Sequence, residues 1–257
     1  MANADKDGRE IGFKMGFEFK IFSQHGEDGI LLYIFSKIGT TNRHFVEIGC
    51  GPGHHNTANL AINHGWSGLL VDKTKECVDW SRDFFEREMG SDSSKVKVIQ
   101  CCVTIENVEP LLSENGLSGE IDLLSIDVDG NDYWIWKAIN KTNPRVVVIE
   151  YNASIDPERC VTVKYNPEFN RMGDGGEWCY HGASLTALIK LGRDKGYQFV
   201  GCNSHGYNAF FIRNGLLRDK IEQISVKDAY YPCQGRENMS LNDQYKSTKD
   251  FCIFEEV

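Results

Sequence analysis

Five short apolar runs, each followed by residues with helical spacing, constrain the fold of this chain more than any other feature. The runs are "RHFVEIG" (43–49), "SGLLVD" (67–72), "KVKVIQCCV" (95–103), "IDLLSIDV" (121–128) and "RVVVIEYN" (145–152). Between them, "NTANLAINHG" (56–65), "KECVDWSRDFFEREMG" (75–90) and "NDYWIWKAIN" (131–140) read as helices, and "IENVEPLLSENG" as a connecting helix or turn. Upstream, Ile30, Leu31, Ile34, Phe35 and Ile38 place a helical stripe within 23–39. Strands alternating with helices at this spacing predict an α/β fold with a largely parallel sheet.

After residue 152 the rhythm breaks. Residues 153–183 hold Pro157, Pro167 and "GDGG" at 173–176 with no clear period, which reads as a lid or substrate loop. A helix resumes at 184–196, and "YQFVGCN" and "YNAFFIR" form two strands linked by "SHG", a hairpin. The expected organisation is one domain over 1–257, with an arm at 1–22 and a tail at 214–257.

Two hundred and fifty-seven residues, 41% of them hydrophobic, are enough for a substantial core. A formal charge of −9 argues against a nucleic-acid partner, which needs a basic face. The N-terminus lacks the pattern of a signal peptide, and no apolar run approaches the roughly 20 residues of a membrane helix. The nine cysteines are odd in number and contain no C-x-x-C pair. They argue against a disulfide framework or a zinc site, and for a reducing cytoplasm.

"FVEIGCGPGHHN" places Glu47, Gly49, Gly51 and Gly53 at the first strand-to-helix turn. Glycines let the backbone approach a ligand, while a buried carboxylate needs a donor or cation beside it. Asp72 ends the second run, about 20 residues on, where a carboxylate can accept ribose hydroxyls. A dinucleotide site reads G-x-G-x-x-G, and this loop does not, which disfavours a nicotinamide oxidoreductase. E-x-G-x-G-x-G instead resembles motif I of the class I S-adenosylmethionine (SAM)-dependent methyltransferases. That resemblance, over roughly 43–213, implies a Rossmann-like fold whose seven-stranded, mostly parallel sheet ends in an antiparallel hairpin. It also implies SAM as cofactor, with the glycine loop near the methionine part and Asp72, with Lys73 beside it, at the ribose. Cys102, with Cys101, lies where such enzymes hold the adenine.

"SQHGEDGIL", "IDVDGNDYWIWKAI" and "HGASLTALIKLGRDKGYQFVGCNSHGYNAFFIR" resemble the FkbM-type branch, which is linked to O-methylation of sugars and natural products. "IDVDGND" departs from the acid–Gly–hydrophobic–acid pattern more usual there. By this likeness Gln24 and Glu27 contact the cofactor; simple capping is the alternative.

Methyl transfer to oxygen needs a base for the acceptor's proton, or a divalent cation that lowers the hydroxyl pKa. Asp127 and Asp129 leave the fourth run and Glu150 and Asn152 the fifth, and such carboxyl ends face the ligand crevice of an open sheet. These oxygens suit Mg²⁺, Mn²⁺ or Ca²⁺. By similarity to the metal-dependent catechol and sugar O-methyltransferases, Asp127, Glu150 and Asn152 are the candidate metal ligands. Asp127 is also expected to touch cofactor or substrate, and Asp129 to partner substrate or metal. His181 is the candidate general base, against a role as helix cap. Asp132 or Asn131 reads as a cap, and Glu150 has Arg145 or Arg159 as alternative partners. His54 and His55 either border the cofactor or start a solvated helix. Trp178 and Tyr180 are candidates for substrate contact, and at least one of Trp134 and Trp136 belongs to the core.

The resulting expectation is a methyltransferase acting on oxygen of a sugar-like or other polar small molecule, with or without a divalent cation. A metal-independent N-methyltransferase and a non-enzymatic nucleotide-binding protein are the rivals.

Overall fold

Apolar runs long enough for a strand and too short for a helix pair side by side here, because a sheet covered on both faces buries every side chain of such a run. In the computed structural model, which describes residues 10–11, 17–171, 179–217, 221–222, 224–236, 238–241, 243–244 and 254–257, they become five strands. These are β1 (His44–Ile48), β2 (Ser67–Asp72), β3 (Val96–Gln100), β4 (Gly119–Ile126) and β5 (Thr142–Glu150). The hairpin supplies β6 (Tyr197–Cys202) and β7 (Asn208–Arg213). The sheet order is β3-β2-β1-β4-β5-β7-β6. β1 runs parallel to β2 and β4, and β2 to β3, whereas β6 and β7 are antiparallel. This is the Rossmann-like α/β fold with a terminal antiparallel hairpin that the alternation and the loop motif predict.

The chain gathers into two compact units. The first comprises residues 17–127 and 138–148 and carries helices α1 (Glu27–Ile38), α2 (Ala58–His64), α3 (Lys75–Met89) and α4 (Val108–Glu114). Phe45, Val46, Leu69, Leu70, Val71, Leu123 and Leu124 form its centre and are almost wholly buried. Each such side chain stabilises the fold by about 1.5–3 kcal/mol. Arg145 does not serve Glu150. Its Nε stands 3.0 Å from buried Asp122, which also accepts the amides of Thr41, Asn42 and Arg43.

The second unit holds residues 128–137 and 149–257, with 1–16. It contains β6, β7 and helices α5 (Asp132–Ala138) and α6 (Leu185–Asp194). Trp136 is its central residue, fully buried against Phe211 and Tyr197, while Trp134 donates its indole N–H to Val163 O at 2.9 Å. The segment read as irregular contains a short strand, Val161–Val163, which pairs antiparallel with Phe254–Glu256 near the chain's end. Three residues are too few to show a period, and the partner lies far away in sequence. Asn203 Oδ1 closes the hairpin by accepting the amides of Tyr207 and Asn208, both at 3.0 Å. No helix among the described residues is long and apolar enough to cross a membrane.

Candidate functional site

In the first unit the glycine loop follows β1 because Gly49 and Gly53 both adopt positive φ, 86° and 90°, which costs other residues free energy. A Cβ added at Gly51 or Gly53 would meet no atom within 4 Å, so the space over the loop is open. Glu47 is buried beneath it. One oxygen accepts the Asn56 amide at 2.8 Å, and the other accepts the Thr57 amide at 3.2 Å and the Thr57 hydroxyl. Burial raises its pKa to about 7 against the opposing bonds from Thr57 and Asn56. Both oxygens therefore shape the loop from inside.

Asp72 at the end of β2 ties the same loop from the other side. It accepts the Cys50 amide at 3.0 Å and the Thr74 amide at 2.7 Å. Lys73 beside it is exposed, and its carbonyl accepts from Gln100. Cys102 is exposed after β3, with Asn107 donating to its carbonyl at 2.8 Å. Upstream, "SQHGEDG" folds on Asp28, whose Oδ2 accepts the amides of Ile21, Phe22 and Ser23 and the Ser23 hydroxyl. Its Oδ1 is buried without a partner among the described residues. Glu27 is buried and accepts the His25 amide at 2.8 Å, and Gln24 is exposed. His55 does not start a solvated helix. It is buried among Trp80, Phe84 and Phe85, and burial lowers its pKa to about 4. Asp127 follows β4, its amide donating to Ile48 O at 2.8 Å.

The second unit carries its own cluster. Asp129 takes a positive φ of 60° and pairs with Arg171. The same Arg171 Nη1 stands 3.9 Å from buried Glu150, and His181 Nδ1 is 3.4 Å from the other oxygen of Glu150. Burial, then Asp129, pushes Glu150 upward against Arg171 and Arg236. Burial, then Arg171 and Arg236, holds His181 well below the usual imidazole range. Around neutrality the pair thus favours a protonated carboxyl beside a neutral imidazole. Asp132 is more than a simple cap, because its two oxygens accept the amides of Val128 and Gly130 and close the 128–132 loop. His181 does not cap α6; Ser184 does, accepting the Ala187 amide at 3.2 Å.

Asn152, expected as a metal ligand, is buried and occupied by the chain. It donates to the carbonyls of Cys179 and His181, both at 2.7 Å, and its oxygen accepts the Ser154 amide at 2.9 Å. Asp129 and Glu150 offer carboxylate oxygens within 4.8 Å of one another, close enough to share a cation, and Arg171 stands against both. Tyr180 is buried against Phe169 and Phe254, not open to a substrate. Trp178 and "GDGG" lie outside the described residues. Arg171 and Arg236 were missed in the sequence because neither sits in a motif. The signal available was a set of acids in need of a cation.

Fold and loop together define a Rossmann-like α/β protein with an acidic glycine-loop cradle after β1. No protein-family model and no curated protein matches the sequence. Solved structures similar to it include the O-methyltransferase from Bacillus cereus in complex with SAH. It is 17% identical with a TM-score of 0.46, over 71% of this chain and 77% of that one. Another is the magnesium protoporphyrin IX methyltransferase from Synechocystis PCC 6803 with bound SAM, 11% identical with a TM-score of 0.47, over 73% and 78%. A third, the N-terminal domain of EvdMO1 with SAH bound, is 14% identical with a TM-score of 0.45, over 74% and 80%.

Proposed function

We propose that the chain is a SAM-dependent methyltransferase that methylates oxygen of a polar small molecule. The observation that carries this reading is Glu47. Its carboxyl group takes the Asn56 and Thr57 amides, groups a dinucleotide's phosphates would need, and so leaves them unavailable to phosphate. Asp72 adds a second carboxylate to the loop, and Asp28 acts electrostatically on Glu47. SAM carries an ammonium and a sulfonium and no phosphate, so it suits this cradle. The unpartnered Asp28 Oδ1 supports the same fit, since a buried acceptor calls for a donor. Gly51 and Gly53 leave room for the amino-acid part, and Asp72 keeps lone pairs for the ribose hydroxyls.

When bound, SAM supplies a methyl group on a sulfonium sulfur. Glu150 and His181 are the groups to take the acceptor's proton. Once Glu150 is ionised, its charge 3.4 Å from Nδ1 favours the imidazolium that forms when Nε2 receives the proton. Oxygen is favoured over nitrogen because Asp129 and Glu150, the carboxylates that would grip an amine, already meet Arg171. The free thiols of Cys50, Cys179, Cys202 and Cys233 support a reducing, cytoplasmic setting.

Calorimetry with SAM, SAH and NAD tests the reading. Binding of SAM and SAH without NAD is the expected result, and absence of both would sink it. Turnover on a panel of hydroxyl and amine acceptors then fixes the acceptor atom.

A further inference from the structure

We propose that Arg171 is a built-in cation, doing in this protein what a divalent metal would otherwise do for the carboxylates Asp129 and Glu150. The inference deepens the proposed function and rests on it for the acceptor chemistry. The geometry stands independently of that reading. One guanidinium nitrogen, Nη1, contacts Asp129 Oδ1 and lies 3.9 Å from Glu150 Oε1, so a guanidinium faces two carboxylates whose oxygens, within 4.8 Å of one another, could otherwise share a metal ion. The guanidine side chain is 14% exposed and Glu150 6%, so water screens the pair little. Asn152, whose neutral oxygen could complete a coordination shell, accepts the Ser154 amide at that oxygen and donates its amide nitrogen to the carbonyls of Cys179 and His181. A second guanidinium, Arg236, acts on Glu150 and His181 and bonds Ser154.

Arginine suits this place chemically. It stays charged at any working pH, and its planar fork presents several N–H donors, so one can hold a carboxylate while another meets a ligand oxygen. In the proposed reaction the acceptor's O–H bond breaks and its proton passes to the His181–Glu150 pair. The oxygen lone pair forms the new O–CH₃ bond, and the S–CH₃ bond breaks with its electrons staying on sulfur. Arg171 stabilises the negative charge that develops on oxygen before the methyl arrives. A metal would supply that same stabilisation, so it and Arg171 would compete for these carboxylates.

Mn²⁺ titration of the full chain, followed by electron paramagnetic resonance, decides between them without any turnover assay. The wild type and Arg171→Lys should show no saturable Mn²⁺ site. Arg171→Met should tighten Mn²⁺ binding by about tenfold or more, equivalent to about 1.4 kcal/mol or more, and Arg171→Met with Asp129→Asn should lose the gain. Wild-type Mn²⁺ binding that Asp129→Asn abolishes would overturn the proposal, as would a folded Arg171→Met variant with no gain. Should Arg171→Met fail to fold, Arg171→Gln replaces it, and the wild-type arm needs no variant. In turnover, EDTA should leave the wild type unchanged, and Arg171→Met should fall at least about tenfold while Arg171→Lys keeps more activity. A wild type that binds neither SAM nor SAH would defeat the methyltransferase reading alone, since the Mn²⁺ result would still decide whether Arg171 excludes a metal.

Discussion

Glu47 Oε2 accepts both the amide and the hydroxyl of Thr57, ten residues further along the chain. This pairing joins the end of a buried strand to the start of the next helix, and it places an ionisable group inside the glycine loop proposed to receive SAM.

Stability should therefore depend on pH through Glu47. Burial raises its pKa from 4.5 to about 7, so the folded chain holds this proton more tightly than the unfolded one. The stabilisation is fully present below about pH 4.5 and is lost as the pH rises through about 7, a change of about 3 kcal/mol. In denaturant unfolding, the stability difference between Glu47→Gln and the wild type should move in the variant's favour by that amount between pH 4.5 and 8. A difference independent of pH would mean that Glu47 ionises as easily in the fold as outside it.

Asp72→Asn should weaken SAM and SAH binding by about 10- to 100-fold, the worth of one hydrogen bond to a charged acceptor. Asparagine keeps one carbonyl oxygen for the Cys50 or Thr74 amide and offers nothing further to a ribose. Calorimetry at fixed pH measures the loss, and an unchanged affinity would remove Asp72 from the cofactor site.

The turnover profile should rise with pH above neutrality. Glu150 is pushed upward by burial and Asp129, and only its ionised form leaves His181 able to take a proton at Nε2. Glu150→Gln should flatten the rise, and His181→Ala should lower kcat by about 10²-fold or more with SAM affinity retained. If His181→Ala keeps wild-type kcat, the proton leaves by another route.

Trp136→Ala should cost about 3–5 kcal/mol, as expected for a large aromatic packed against Phe211 and Tyr197. Trp136→Phe should cost about 1 kcal/mol or less. Its indole N–H is buried with no acceptor among the described residues, so phenylalanine removes an unsatisfied donor along with some volume. Thermal melts of the two variants separate these outcomes.

Much of the fold was legible in the sequence because periodicity reports burial. The second run was read as 67–72 and the strand is Ser67–Asp72; the helix read over 75–90 is Lys75–Met89. Asp72 and the glycines were legible as well, since turn chemistry and strand ends are local. The pairing of Val161–Val163 with Phe254–Glu256 was not, because nothing local marks so short a strand. The acids at 127–132 and 150 were visible as a group, but their separate uses were not. Whether an acid meets a metal, an arginine or a backbone amide is decided by residues such as Arg171 and Gly130, distant from it or indistinct in the pattern.

The left-handed backbone of Asp129 bears on laboratory evolution of this protein. Glycine at that position would relax the conformation, gaining up to about 1 kcal/mol, while deleting the carboxylate that Arg171 holds. A library selected only for heat resistance should drift toward glycine at 129 and enrich well-folded variants whose Arg171 has lost its carboxylate partner. Selection that alternates heat challenge with turnover should retain aspartate there.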